Sequence, residues 1–256
     1  MKEDAFFYGT HTDFLNDPTE KEYALKIFDN KLNALDKKKD DQLYKSFSNY
    51  IMSFSNDIDN INQWRAYTSS TEGGFSIVFN KNTLNNLCGW DFYAEKDQME
   101  QIECTGVNRL FQRGFGVIDY VRYNDNDINT LFNNYSTKID DFIKANSIFS
   151  DIEKKYSEIY IISYYRALFS CFVKNDSYMD EKEYRVAYIS SNKNEIKMIG
   201  GKPRKKLFPV KPEMIHKIIV SPHGNTKYNK RLAEILCENI GLKKDIVKLS
   251  SIPYKG

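Results

Sequence analysis

Residues 152–174, IEKKYSEIYIISYYRALFSCFVK, run through Met179-Asp-Glu-Lys-Glu183 into Tyr184-Arg-Val-Ala-Tyr-Ile189. The first segment is a long run whose apolar positions include Ile159, Ile162, Leu168, Phe169 and Phe172, which predicts a long helix. The last is a short run of β-branched and aromatic residues and predicts a strand. The same mixture continues outward on both sides. Upstream, residues 116–123 alternate and read as a strand, while the Asn- and Asp-rich residues 124–134 read as a loop into a helix. Phe75-Ser-Ile-Val-Phe79 follows the break at Gly73-Gly74, residues 57–67 form a short helix, and Tyr50-Ile-Met-Ser-Phe-Ser55 is a strand. Asp17-Pro-Thr-Glu20 opens the first helix: Asp17 caps, Pro18 suits the first helical position and Glu20 completes a capping box. Ala24, Ile27, Phe28, Leu32 and Leu35 continue it as one apolar stripe.

Downstream, Ile215-His-Lys-Ile-Ile-Val220 is a strand, residues 226–240 are a helix stopped by Gly241, and residues 246–249 are a last short strand. Strands and helices mix without regular βαβ alternation. That predicts an α+β fold of mixed, largely antiparallel sheets with flanking helices. With no linker and no repeat, residues 1–256 are expected to form a single domain. The strands around Ser53, Phe75, Tyr184 and Ile218 are expected to share one sheet system.

Apolar residues make up 41% of the chain and charged residues 28%, a globular rather than disordered balance. No apolar run is long enough to cross a bilayer, and Met1-Lys-Glu-Asp4 has no apolar signal core, so a cytoplasmic protein with no membrane contact is expected. Cys88, Cys104, Cys171 and Cys237 stand far apart with no C-x-x-C pair, so reduced, buried thiols are expected. His11, His216 and His223 form no metal motif, and no metal is predicted.

Three segments carry residues suited to chemistry. Glu181 and Glu183 lie two apart at the start of a strand, where side chains share a side. They form either a carboxylate pair for a ribose hydroxyl and an attacking group, or a solvated acidic turn balanced by Lys182 and Arg185. Ser53 and Ser55 share one strand face and can orient a polar ligand; otherwise they are a strand end in water. Gln63-Trp-Arg-Ala-Tyr67 gathers an amide, an indole, a guanidinium and a phenol; Trp64 reads as a core anchor before a stacking face, and Tyr67 is the better stacking candidate. Lys202-Pro-Arg-Lys-Lys206 reads as a basic loop that can touch phosphates.

The ordered set Phe14-Leu-Asn-Asp-Pro-Thr-Glu20, Ser53-Phe-Ser55, Gln63-Trp-Arg-Ala-Tyr67, Gly74-Phe-Ser-Ile-Val-Phe79, Glu181-Lys-Glu-Tyr-Arg185, Ile218-Ile-Val-Ser-Pro222 and Ser251-Ile-Pro-Tyr254 resembles the bacterial domain-of-unknown-function family 2971. More loosely, S-x-S on a strand followed far downstream by E-x-E is similar to the mono-ADP-ribosyltransferases. That resemblance implies an ADP-ribosyltransferase-like fold and NAD as substrate. Glu183 would be the principal catalytic residue and Glu181 its helper toward an acceptor, protein or nucleic acid. Ser53, Ser55, Gln63, Trp64, Tyr67 and Arg185 would line the NAD pocket. A toxin or phage-defence effector is one setting for such an enzyme. Transferases of that fold carry an Arg or His on an early strand; here that strand is expected to be missing, with His11 the only upstream His. The alternatives are a non-catalytic nucleotide- or peptide-binding module, and a metal-dependent nuclease using Asp59, Glu181 and Glu183.

Overall fold

The computed structural model describes residues 6–17, 19–35, 37, 41–85, 115–145, 151–190 and 196–253; Pro18, Cys88 and Cys104 lie outside them. The chain forms two compact units, one drawn from residues 6–54 and 89–208 and a smaller one from residues 55–88 and 209–256.

The larger unit is built on a six-stranded sheet. Its strands are β1 (Phe6–His11), β2 (Ser48–Ser55), β4 (Phe115–Tyr120), β5 (Glu183–Ser190), β6 (Ile196–Ile199) and β7 (Lys202–Pro209), in the order β4-β5-β2-β1-β7-β6. β4 and β5 pair antiparallel from Phe115↔Ile189 to Tyr120↔Tyr184, as do β1 and β2 through His11↔Tyr50 and β6 and β7 through Ile199↔Lys202. Gly9 permits the approach of β1 to β2, since a Cβ there would stand 2.9 Å from the Tyr50 Cβ. β1 corrects the expectation that the early strand is missing, and His11 is its last residue.

Among the described residues, four α-helices accompany this sheet: α1 (Thr19–Ala34), α2 (Asp41–Ser46), α5 (Asp125–Ala145) and α6 (Asp151–Phe172). Their inner faces meet in an aromatic core. The Phe28 ring lies 5.3 Å from Phe132 and 5.2 Å from Phe169, and Tyr135 and Phe172 join them. Helix α5 overturns the reading of residues 124–134 as a loop. Its Asn and Asp residues occupy the wet face, while Ile128, Leu131, Phe132, Tyr135 and Ile139 form a buried stripe. Asn124 caps it by accepting the Asp127 N–H at 2.9 Å. Residues 202–206 are likewise strand, not loop. Gly200 and Gly201, at φ +60° and +73°, supply the left-handed turn that folds β7 back on β6.

The smaller unit holds a three-stranded sheet in the order β3-β8-β9, from β3 (Phe75–Phe79), β8 (Ile215–Val220) and β9 (Val247–Leu249). β3 is antiparallel to β8, and β9 parallel to it. Helix α7 (Thr226–Asn239) seals Ala233 and Cys237 onto Val220 and Val247. Two short helices, α3 (Ile61–Tyr67) and α4 (Lys81–Asn85), complete the unit. The expectation that four strands share one sheet is therefore corrected. Those at Ser53 and Tyr184 belong to the six-stranded sheet, and those at Phe75 and Ile218 to the three-stranded one. The fold class is α+β with mostly antiparallel sheets, as read from the sequence.

Cys171 and Cys237 are free and buried, and burial pushes the Cys171 thiol up to about 12, which makes it an inert core group. Among the described residues no helix is long and apolar enough to cross a membrane.

Asp17 caps α1 as expected: its Oδ1 accepts from the Thr19 N–H at 2.8 Å and the Thr19 hydroxyl at 2.7 Å. Asp17→Ala should lower stability by about 1 kcal/mol. Chemical denaturation checks this, and an unchanged midpoint would mean that the cap contributes nothing. Glu20 departs from the capping-box reading, because its carboxylate turns inward.

Candidate functional site: a buried charge cluster in the larger unit

Glu20 lies one turn before Ala24, Phe28 and Leu32, so the phase that buries those residues buries Glu20 too. A carboxylate cannot stay charged in such a place without partners. It finds two: Arg185 Nη1 lies 2.5 Å from its Oε1, and Lys174 Nζ lies 3.3 Å from its Oε2. Arg185 comes from β5, only 2% exposed, and its fork grips Glu183. Its Nε and Nη2 donate at 2.8 Å to Glu183 Oε1 and Oε2, and Nη1 also donates to the Cys171 carbonyl at 2.9 Å. Lys174 sits just beyond α6 and bridges outward, with Nζ 2.6 Å from Glu181 Oε2 and 3.3 Å from Glu183 Oε2. The Ser53 hydroxyl on the neighbouring strand helps to hold the Glu183 carboxyl down, and the Glu183 N–H donates to the Tyr123 phenol at 3.0 Å.

Local backbone explains how the two glutamates meet one ammonium. Glu181 is not on the strand; it ends the 3-10 helix Asp176–Glu181, and Glu183 begins β5. Lys182 between them is left-handed, at φ 44° and ψ 50°. This uncommon conformation for a side-chain-bearing residue turns both carboxylates toward Lys174.

Burial alone would raise the Glu183 carboxyl. The Arg185 guanidinium, with Lys174 and the hydrogen bonds from Arg185 and Ser53, more than offsets that and holds it below the usual glutamate value of 4.5. Arg185 and Lys174 are lifted in turn: burial opposes their charge, and Glu183 and Glu20 outweigh burial. Tyr123 is pushed up to about 12, chiefly by burial, so it serves as a neutral hydroxyl. A depressed carboxylate stabilises the fold above its unfolded-state value, and that contribution is lost as pH falls through the lower folded value. The larger unit should therefore lose stability below about pH 4.5, the carboxylate reference value, and Glu183→Gln should flatten that acid limb. Denaturation midpoints at stepped pH check it; parallel limbs would contradict it.

Three carboxylates face two cations, so the cluster carries one excess negative charge. Beside it, Asp17, Thr19, Glu20, Glu22, Tyr23, Lys26, Asn175, Ser177 and Tyr178 line a cleft of about 460 Å³, within the range of small-ligand sites. Tyr178 donates to Asp17 Oδ2 at 3.0 Å, and its ring lies 4.6 Å from Lys174 Nζ. Glu20 thus belongs to both cleft and cluster. His11 stands on the strand next to β2, its ring 5.3 Å from Tyr50.

Of the residues singled out from the sequence, this cluster unites Ser53, Glu181, Glu183 and Arg185. Gln63, Trp64 and Tyr67 belong to the smaller unit. There Trp64 is 4% exposed and donates from Nε1 to Asp59 Oδ1 at 2.7 Å, which makes it a core anchor. Tyr67 is 64% exposed on the same helix, and Gln63 is half-buried. Ser55 ends β2 and accepts the Asp57 N–H at 3.1 Å, a local turn bond. Asp59 is occupied by Trp64, the Ser250 hydroxyl and the Ser251 N–H and hydroxyl. Among the described residues no group of three metal-type ligands is gathered. Lys174, Tyr123 and Tyr178 escaped the sequence reading, and Glu20 entered it only as a helix-capping acid. Only Glu20 left a signal, an acid in phase with an apolar stripe.

No curated protein and no solved structure matches the chain. Residues 63–186, from Gln63 in α3 to Val186 in β5, match the model of the DUF2971 proteins, a family of unknown function, and over that stretch the chain bears the family resemblance that its motifs carry.

Proposed function

We propose that the chain is an ADP-ribosyltransferase-like enzyme that binds NAD and opens its nicotinamide–ribose bond at Glu183. The observation that carries this reading is that Ser53 and Glu183 stand on the neighbouring strands β2 and β5, with Ser53 among the groups that hold the Glu183 carboxyl down. β1, ending in His11, lies on the other side of β2, so three strands with the expected residue types stand side by side. The electrostatics agree. Breaking the glycosidic bond leaves positive charge on the ribose, and a fixed carboxylate in a cluster of net negative charge favours it. Arg185 holds Glu183 in one orientation, which makes it a positioning residue. Glu181, more exposed than Glu183 and paired with Lys174, is the carboxylate assigned to an acceptor protein or nucleic acid.

A second reading has its own support. Both Glu183 oxygens are already engaged by Arg185, which suits a structural cluster beside the site of a non-catalytic nucleotide-binding module. NAD titration followed by thermal stabilisation tests the ligand shared by both. Saturable binding should add about 2.7 kcal/mol at a hundredfold excess over the dissociation constant, and Ser53→Ala should weaken it. No stabilisation at any NAD concentration would end both readings.

A further inference from the structure

Helix α7 buries Asn229, Ala233 and Cys237 against its own sheet. A second apolar stripe runs beside that face, and among the described residues nothing covers it. Tyr228, Leu232, Ile235 and Leu236, with Ile240 just past the helix end, stand at i, i+4, i+7, i+8 and i+12. Tyr228 is 63% exposed and Leu236 53%. A contiguous stripe of large apolar side chains in water is a surface that awaits a partner.

The charges on the same helix specify which partner. Lys227, Lys230 and Arg231 occupy its first half, Glu234 and Glu238 its second. There is no acid in the first turn and no base in the last. This order opposes the helix dipole, which favours acids at the N-terminus and bases at the C-terminus. The pairs within the helix are loose, Arg231–Glu234 at 3.5 Å and Lys230–Glu234 at 3.8 Å. An antiparallel copy of the same helix reconciles both features. Its acidic half meets the basic half, its dipole runs the opposite way, and its stripe matches itself.

We infer that α7 is the self-association surface of this protein, pairing antiparallel with α7 of a second copy about a twofold axis near Glu234. In that register Tyr228 faces Ile240 of the second copy, Leu232 faces Leu236, and Arg231 reaches Glu238. Residue i meets j and j meets i, as a twofold contact requires. A single helix pair is a small interface, so the dimer is expected to dissociate in the range of about micromolar. The inference is independent of the NAD reading.

Sedimentation velocity over a wide range of protein concentration tests it. The wild type should pass from monomer to dimer. Leu236→Glu, a change at an exposed position, should weaken the dimer by at least about a hundredfold with an unchanged melting temperature. Arg231→Glu and Glu238→Arg should each weaken it about tenfold, since one substitution sets like charges together at two symmetric places. The double variant should restore dimerisation. A wild type that stays monomeric at every concentration overturns the inference. So does a dimer indifferent to Leu236→Glu, or a charge swap that fails to rescue.

Discussion

Arg185→Met is expected to destabilise the larger unit by about 3–5 kcal/mol, the usual result of removing one side of a buried ion pair. Arg185 is the largest fully buried side chain. Its loss leaves the carboxylates of Glu20 and Glu183 inside the protein with only Lys174 between them. A fold of this size holds only about 5–15 kcal/mol in all, so the variant should sit near the edge of unfolding. Neutralising both acids in the same chain, with Glu20→Gln and Glu183→Gln, should recover much of the loss, because uncompensated charge does the damage rather than the missing contacts. Denaturant titration measures all three chains. A loss below about 1 kcal/mol for Arg185→Met would mean that the cluster is wet in solution.

Glu183→Gln should lower NAD turnover by about a hundredfold to a thousandfold, equivalent to roughly 3–4 kcal/mol of transition-state stabilisation. Glutamine keeps the shape and can still bond Ser53, but it carries no charge for the developing ribose cation. It also turns an amide toward Arg185, so some stability should be lost, and the assay belongs well below the melting temperature. Glu181→Gln should impair transfer to an acceptor more than hydrolysis. Ser53→Ala should act mainly on KM, because a pocket hydroxyl binds ground and transition states alike. Equal kcat in wild type and Glu183→Gln would remove Glu183 from the mechanism.

The elements that the sequence discloses are those with long apolar runs. The helix at residues 152–174 and the strands at Phe75, Tyr184 and Ile215 are legible because each is a run rich in large apolar, β-branched or aromatic residues. Helix α5 is not, because its Asn and Asp residues resemble a loop until the apolar positions between them are phased. Strand β7 is hidden because a run of Lys, Arg and Pro has the composition of a loop, and only pairing with β6 makes it extended. The site divides the same way. Ser53, Glu183 and Arg185 announce themselves by type and spacing. Lys174 does not, since its burial depends on acids brought to it from α1, from the 3-10 helix and from β5. Glu20 misleads because the residues around it satisfy a local rule, the capping box. Its real partners are more than 150 residues away, and local rules cannot see that far.

Whether the Ser53–Glu183–Arg185 cluster serves the cleavage of NAD is decided by following nicotinamide release from NAD by the purified protein in the presence of EDTA, with candidate protein and nucleic-acid acceptors added in turn. Release is expected to be insensitive to the chelator and to depend on Glu183. NAD left intact under all of these conditions by a folded protein that nonetheless binds it would contradict the enzyme reading.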